Sequence, residues 1–269
     1  MKLFEYQAKD AFAERGIPVP KRRVCETVSQ AVEAVAEMGL PCAVKSQVLR
    51  GGRGKAGLVK LVKSSAEAHD YAEALLTGPL GAAHGVKKVL VEEAVDIARE
   101  LYLSITVDPQ AATALILACA DGGVEIEELA RTAPEKIIRE KVDIDTGLLP
   151  FQARNIAYAL GFDGDGVKKF VPLLESLWAV FRAKDAELVE INPLFVTGSG
   201  ALVAGDGKLV IDDNSAFRQG GAEPSREYFD SDVAYEAAVE GIPYLQFDGD
   251  ISLMCAGAGL TTVVYDLVN

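Results

Sequence analysis

The stretch Cys42-Ala43-Val44-Lys45-Ser46-Gln47-Val48, followed by Gly51-Gly52-Arg53-Gly54-Lys55-Ala56-Gly57 and then Leu58 to Val62, decides the fold. It reads as two strands joined by a glycine-rich loop. Such a loop folds over phosphates readily, because its backbone N–H groups meet no side-chain obstruction. Arg53 and Lys55 add local positive charge. Lys55 precedes Ala56 and not Ser or Thr, so this is no Walker A loop, and it does not match the dinucleotide fingerprint. Taken alone, the loop reads equally as a phosphate lid or a plain flexible hairpin. Lys45 interrupts an apolar strand, where an ammonium is costly without a partner. It is either an edge lysine reaching solvent or a cation aimed at the α- and β-phosphates of a nucleotide.

Working outward, strands and helices alternate. Lys2 to Arg15 predicts a helix stopped by Gly16, and Ile17-Pro18-Val19-Pro20 forces an extended exit. Thr27 with Gln30 predicts a capping box for a helix ending at Gly39, and Ser64 with Glu67 caps another running to about Leu76. Val89 to Glu92 is a strand. Glu100 to Cys119 reads as two strands turning at Asp108-Pro109-Gln110. Helices are expected near Gln152–Leu160 and Gly166–Arg182, and Ala186 to Asp212 reads as strand, turn, strand. The polar segment Gly220 to Ser231 looks like a linker. Beyond it, Ile251 to Cys255 reads as a strand entering Gly257-Ala258-Gly259 and a helix. One strand and one helix cannot cover a parallel sheet, so residues from about 240 onward read as the opening of a second, incomplete domain.

Composition narrows the function. The 269 residues are 49% hydrophobic and carry a net charge of -13. That balance opposes nucleic acid and anionic membrane surfaces, so an anionic ligand must be met by a local cationic cluster. Cys25, Cys42, Cys119 and Cys255 form no CxxC pair and suit a reducing cytoplasm or a mitochondrial matrix. The charged start, Met1 to Tyr6, lacks a signal-peptide core, and the apolar run Ala111 to Ala120 is too short to span a bilayer.

A second chemical feature is Glu190-Ile191-Asn192-Pro193-Leu194 facing Ala204-Gly205-Asp206-Gly207. Glu190 and Asn192 share a face of their strand. With Gly198-Ser199-Gly200 as the hairpin loop, Thr197 pairs with Ala201 and Asn192 lies opposite Asp206. That register gathers oxygen ligands of the kind Mg²⁺ prefers, with phosphate oxygens and water completing the octahedron. A solvated polar face is the other reading, and Leu188, Val189, Ile191 and Leu194 suit it poorly. His69, on a surface helix, and His84, in a loop, accompany no triad. The chain offers no nucleophile.

Five motifs in order resemble a known family: Glu5-Tyr6-Gln7-Ala8-Lys9, the Gly51–Gly57 loop, Asp121-Gly122-Gly123-Val124-Glu125-Ile126-Glu127, Glu190 to Leu194, and Asp213-Asn214-Ser215-Ala216-Phe217-Arg218. Together they resemble the β subunit of ADP-forming succinate–CoA ligase, an ATP-grasp protein, over essentially the whole chain. The resemblance implies an α/β (α+β) ATP-grasp fold of two subdomains. It assigns 1–230 to the grasp domain, with 20–95 as an inserted nucleotide subdomain, and 240–269 to the first strand–helix unit of a doubly wound, flavodoxin-like CoA-ligase domain. It also implies site roles: Lys45, Gly52, Arg53 and Gly54 on phosphates, Glu92 to Val95 as a purine hinge, Glu100 on the nucleotide, Asn192 and Asp206 on Mg²⁺. Pro20 matches adenine-using members, hence ATP. The expected partner is a CoA-binding α subunit with a phosphorylated histidine, in a ligase serving the tricarboxylic acid cycle. Where the family places a substrate-binding Asn, this chain has Ala256, which leaves succinate, malate and citrate open as the acid. A non-catalytic nucleotide-binding subunit and a standalone carboxylate–amine ligase are the readings from other classes.

Overall fold

The computed structural model of the protein describes residues 1–219, 226–229, 231–247 and 249–268. The chain divides into two compact units, Met1–Gly221 and Ala222–Asn269.

The first half of the larger unit comprises α1 (Glu5–Glu14), β1 (Arg22–Cys25), α2 (Val28–Met38), β2 (Cys42–Ser46), β3 (Val59–Val62), α3 (Ser65–Leu76), α4 (Pro79–His84) and β4 (Val89–Glu93). The strands form an antiparallel sheet in the order β1-β4-β2-β3. Its apolar face packs on α2 and α3 through Val35, Val44, Val62, Leu75 and Val91. Both helices start as their caps predict. The Thr27 hydroxyl accepts from Gln30 N at 3.2 Å, and the Gln30 side chain reaches back to Glu26 N at 2.8 Å. The Ser64 hydroxyl accepts from Glu67 N at 3.2 Å. Because β2 lies between β4 and β3, Lys45 is not an edge lysine.

The second half contributes β5 (Ile97–Asp108), β6 (Thr113–Cys119), α5 (Ile126–Thr132), β7 (Ile138–Val142), α6 (Pro150–Ala159), α7 (Gly164–Ala183), β8 (Ala186–Thr197), β9 (Leu202–Ala204) and β10 (Lys208–Ile211). These strands form a larger antiparallel sheet, β10-β8-β5-β6-β7, with β9 paired to β8. Phe12 of α1, Ile156 of α6 and Phe170, Leu174 and Leu177 of α7 bury against Leu101, Leu103, Ile105, Val189, Ile191 and Leu209. Removing a side chain of that size from water is worth roughly 1.5–3 kcal/mol, so this layer anchors the sheet that carries β8 and β9.

Several boundaries differ from expectation for identifiable reasons. The first helix begins at Glu5 and not Lys2, because Lys2 bridges to Val210 and Leu3 N donates to Leu209 O at 2.9 Å, extending the large sheet. The β2 ladder ends at Ser46 and not Val48. His84 closes α4 instead of sitting in a loop.

In the smaller unit, Arg226–Tyr228 is a 3-10 turn, and α8 (Asp232–Val239) is capped by the Ser231 hydroxyl accepting from Ala234 N at 3.1 Å. Most of the segment read as a linker, 220–225 and 230, lies outside the described residues. The strand expected over Ile251–Cys255 does not form: these residues are irregular, Ile251 is 70% and Met254 99% exposed, and α9 (Ala258–Val268) follows. A strand takes its backbone hydrogen bonds from neighbours, and the described residues of this unit contain no other strand. Among the described residues no helix is long and apolar enough to cross a membrane.

The turn between β9 and β10, Gly205-Asp206-Gly207, is held against α1. A Cβ on Gly207 would meet Phe12 Cε2 at 2.6 Å, and Phe12 is fully buried. Gly207→Ala is therefore expected to lift α1 from the turn, cost about 1–3 kcal/mol and lower the melting temperature by several degrees in a thermal melt; an unchanged transition would show that the turn is not pinned there.

Candidate functional site

Lys45 leaves β2 on the face opposite Val44 and enters a closed set of charges. Its Nζ lies 2.6 Å from Glu92 Oε2, 3.0 Å from Glu5 Oε1 and 2.7 Å from the Gly205 carbonyl. Lys9 uses the same three groups: 2.6 Å to Glu92 Oε1, 2.8 Å to Glu5 Oε1 and 2.8 Å to the Gly205 carbonyl. Arg53, from the glycine-rich loop, completes the cluster with 2.6 Å to Glu5 Oε2, 2.7 Å to Asp206 Oδ2 and 2.8 Å to the Ser46 carbonyl. Three cations thus alternate with three carboxylates where α1, β2, β4, the loop and the β9–β10 turn converge. Lys45 and Arg53 keep 12% and 10% side-chain exposure, whereas Lys9 has none.

Burial opposes ionisation of Glu5, but the Arg53, Lys45 and Lys9 charges outweigh it and hold its carboxyl well below the usual range. Glu5 is also the first residue of α1, where the helix dipole favours a negative charge. Burial lowers Lys45 too, yet the carboxylates of Glu5, Glu92 and Asp206 raise its ammonium above the ordinary lysine value. Both groups are therefore charged at neutral pH.

The hairpin register is the one expected. Thr197 N donates to Ala201 O at 2.9 Å, Leu194 pairs with Ala204, and Gly205 N donates to Pro193 O at 2.9 Å. On the far side of the turn Lys208 pairs with Glu190 in the same register, which sets Asp206 opposite Asn192 on the face shared with Glu190. Asp206 Oδ2 takes Arg53. The Asn192 amide oxygen accepts from Gly123 N at 2.8 Å, and its nitrogen donates to Val124 O at 2.9 Å. Among the described residues no group of three or more His, Cys, Asp and Glu is placed to hold a metal. An amide oxygen and a carboxylate at matched positions of the hairpin are nevertheless the kind of ligands a hard divalent cation takes, with phosphate oxygens and water as the rest. Beside them, Glu190 is raised by burial, opposed by Lys208 and by the Tyr102 hydroxyl, which donates to Glu190 Oε2 at 3.0 Å.

The other expected residues separate. Gly52 adopts φ +72°, and added Cβ atoms on Gly52 and Gly54 would meet nothing within 4 Å, so the loop is open over the cluster. Lys55 does not join Arg53: it is exposed and pairs with Glu125 at 2.7 Å. Residues 94–96, including Val95, connect the small sheet to the large one, while the buried Glu92 carboxylate is occupied by the two lysines. Glu100 is exposed on β5, and its carbonyl accepts from Gly122 N at 2.9 Å. Pro20 is buried in the segment leading to β1. Ala256 is exposed in the smaller unit, before Gly257; the cluster is built from the larger unit alone. His69 and His84 take no part. Glu5 and Lys9 were not predicted as site residues. Their signal is i and i+4 charges on the same helix face as Ala8 and Phe12. The grip of Gly123 and Val124 on Asn192 had no signal short of tertiary structure.

Two antiparallel sheets with a glycine loop over a cluster of paired charges accord with a nucleotide-grasping fold, and the ATP-grasp domain family matches residues 2–196. Over its whole length the chain is 55% identical to an ADP-forming sulfoacetate-CoA ligase subunit of Bilophila wadsworthia, covering 71% of that protein, and 44% identical to the succinate–CoA ligase [ADP-forming] subunit beta of Geobacter sulfurreducens, covering 72%. In fold it resembles the dinucleotide-forming acetyl-coenzyme A synthetase 1 of Ca. Korarchaeum cryptofilum, with TM-score 0.64 and 18% identity over 78% of this chain and 93% of that one. The chain belongs to the ATP-grasp family, among the β subunits of ADP-forming acid–CoA ligases, enzymes that form a carbon–sulfur bond.

The charge cluster has a pH signature. A depressed folded-state value for Glu5 contributes stability above the unfolded value, about 4.3, and that contribution disappears as pH falls through the folded value. Glu5→Gln is expected to lose about 3–5 kcal/mol at pH 7, with the gap to wild type narrowing below about pH 4. Urea unfolding of both proteins at pH 7, 5 and 3.5 measures this; a gap independent of pH would contradict it.

Proposed function

We propose that the chain is the nucleotide-binding β subunit of an ADP-forming acid–CoA ligase whose acid is sulfoacetate. The observation that carries the nucleotide assignment is the convergence of Lys45 and Arg53, both partly exposed, with Asp206 beneath an open glycine loop. Lys45 and Arg53 exchange their carboxylate partners for the phosphates of ATP, Gly52 and Gly54 let the backbone approach, and residues 92–95 bound the purine, with Glu100 toward the nucleotide. Asn192 and Asp206 hold Mg²⁺, which supplies neutralisation of charge on the phosphates. Phosphoryl transfer asks for positioning and neutralisation more than for covalent protein chemistry, which accords with a chain offering no nucleophile.

In this reading the γ-phosphate passes from ATP to a histidine of a CoA-binding α subunit, releasing ADP, then to the acid's carboxylate, and the CoA thiol attacks the acyl phosphate to form the thioester and release phosphate. Residues 1–230 form the grasp domain and 240–269 open a CoA-ligase domain. A cytoplasmic setting accords with four unpaired cysteines. Sulfoacetate is favoured over succinate by the higher identity to the sulfoacetate ligase subunit, 55% against 44%, and by Ala256 at the position where succinate ligases place a substrate-binding Asn.

Two experiments test this. With the full-length protein and its partner, CoA-dependent ADP release should favour sulfoacetate over succinate, malate and citrate by at least about tenfold in kcat/KM; preference for one of the dicarboxylates or citrate would replace the acid while leaving the ligase class. Separately, Asp206→Ala should keep the fold and lose Mg²⁺-dependent ATP binding, a cost on the order of a few kcal/mol for a charge-assisted ligand. Unchanged Mg-ATP affinity in the folded variant would remove the metal assignment.

A further inference from the structure

Lys9 is fully buried, yet none of its three N–H groups reaches open space: Glu5, Glu92 and the Gly205 carbonyl take them all. It therefore cannot touch a ligand. Its acceptors are nevertheless the three that Lys45 uses. Burial lowers the Lys9 ammonium, as does the Lys45 charge, and the Glu5 and Glu92 carboxylates oppose them; with Lys9 charged, Lys9, Lys45 and Arg53 balance Glu5, Glu92 and Asp206 and the floor beneath the glycine loop is neutral. Deleting the Lys9 charge would leave it one unit negative, with Glu5 and Glu92 consuming the two cations that are partly accessible.

We propose that Lys9 is a positioning residue for the nucleotide phosphates: a buried counter-ion that holds Glu5, Glu92 and the Gly205 carbonyl so that Lys45 and Arg53 can leave their carboxylates for a triphosphate. The inference rests on the nucleotide reading above. When an anion arrives, Lys45 and Arg53 are free to turn toward it because Glu5 and Glu92, which both contact Lys9, keep a partner that cannot follow. Lys9 also fixes the residue preceding Asp206, so the same ammonium sets both the charge of the floor and the place of the turn. Uncompensated buried carboxylates would otherwise retain Lys45 and repel the incoming phosphates.

The test is a charge series on the full chain: wild type, Lys9→Met, Glu5→Gln and the neutral double variant, each titrated calorimetrically with adenosine, Mg-ADP and Mg-ATP, with folding checked by a thermal melt. Lys9→Met should weaken Mg-ATP by at least about tenfold, equivalent to about 1.4 kcal/mol, weaken Mg-ADP less and leave adenosine unchanged. Adding Glu5→Gln should restore Mg-ATP binding to within about threefold of wild type. A merely structural lysine would weaken all three ligands alike and gain nothing from the second substitution, and that result overturns the proposal, as does unchanged Mg-ATP affinity in Lys9→Met. If Lys9→Met does not fold, Lys9→Gln takes its place, with the same result expected and the same results overturning the proposal. A wild type that binds Mg-ATP no better than adenosine fails the nucleotide reading itself, a different outcome from all of these.

Discussion

The alternating charges of Asp206, Arg53, Glu5, Lys45, Glu92 and Lys9 are the constraint on which the rest of the larger unit depends. Contacts of 2.6–3.0 Å join every neighbouring pair. Such a cluster is a poor device for stability. Attraction between unit charges 4 Å apart is about 4 kcal/mol at an effective dielectric of 20, and the desolvation of buried ions roughly cancels it. An apolar interior would hold α1 to the sheets at least as well. What charges provide here is an arrangement that an anionic ligand can enter by exchange, replacing carboxylates by phosphates without leaving any buried group unpaired.

The fold supplies that arrangement by bringing separate elements to one place. Lys45 comes from a central strand of the small sheet and Glu92 from the strand beside it, so their spacing is set by the ladder. Glu5 and Lys9 lie one turn apart on α1, which Phe12 anchors in the core of the large sheet. Asp206 arrives on a turn whose position is set twice, by the Gly205 carbonyl receiving two lysines and by Gly207 packing on Phe12. Only Arg53 comes from an irregular loop. Its two carboxylate contacts, to Glu5 and Asp206, tie that loop to the cluster, and they are the ones a phosphate could replace.

Much of this was legible in the sequence, and the parts that were not share a cause. The hairpin register through Gly198-Ser199-Gly200 followed from loop length and period-two alternation, which are local. Helix caps at Thr27 and Ser64 were local as well. The pairing of Lys45 with Glu5, forty residues away, was not readable, because sequence spacing says nothing of which helix meets which sheet. Lys55 and Arg53 looked alike within one loop, yet only the side chain directed inward meets the carboxylates. The Ile251–Cys255 strand failed for the opposite reason: its local pattern is sound, but a strand exists only where a neighbour satisfies its backbone.

The most direct test is a crystal structure of the full-length protein with a non-hydrolysable ATP analogue and Mg²⁺. The account predicts phosphate oxygens within hydrogen-bond distance of Lys45 and Arg53, the Arg53–Asp206 pair opened, and Lys9 still bound to Glu5 and Glu92. A nucleotide bound with Arg53 still on Asp206, or with its phosphates away from Lys45, would contradict it.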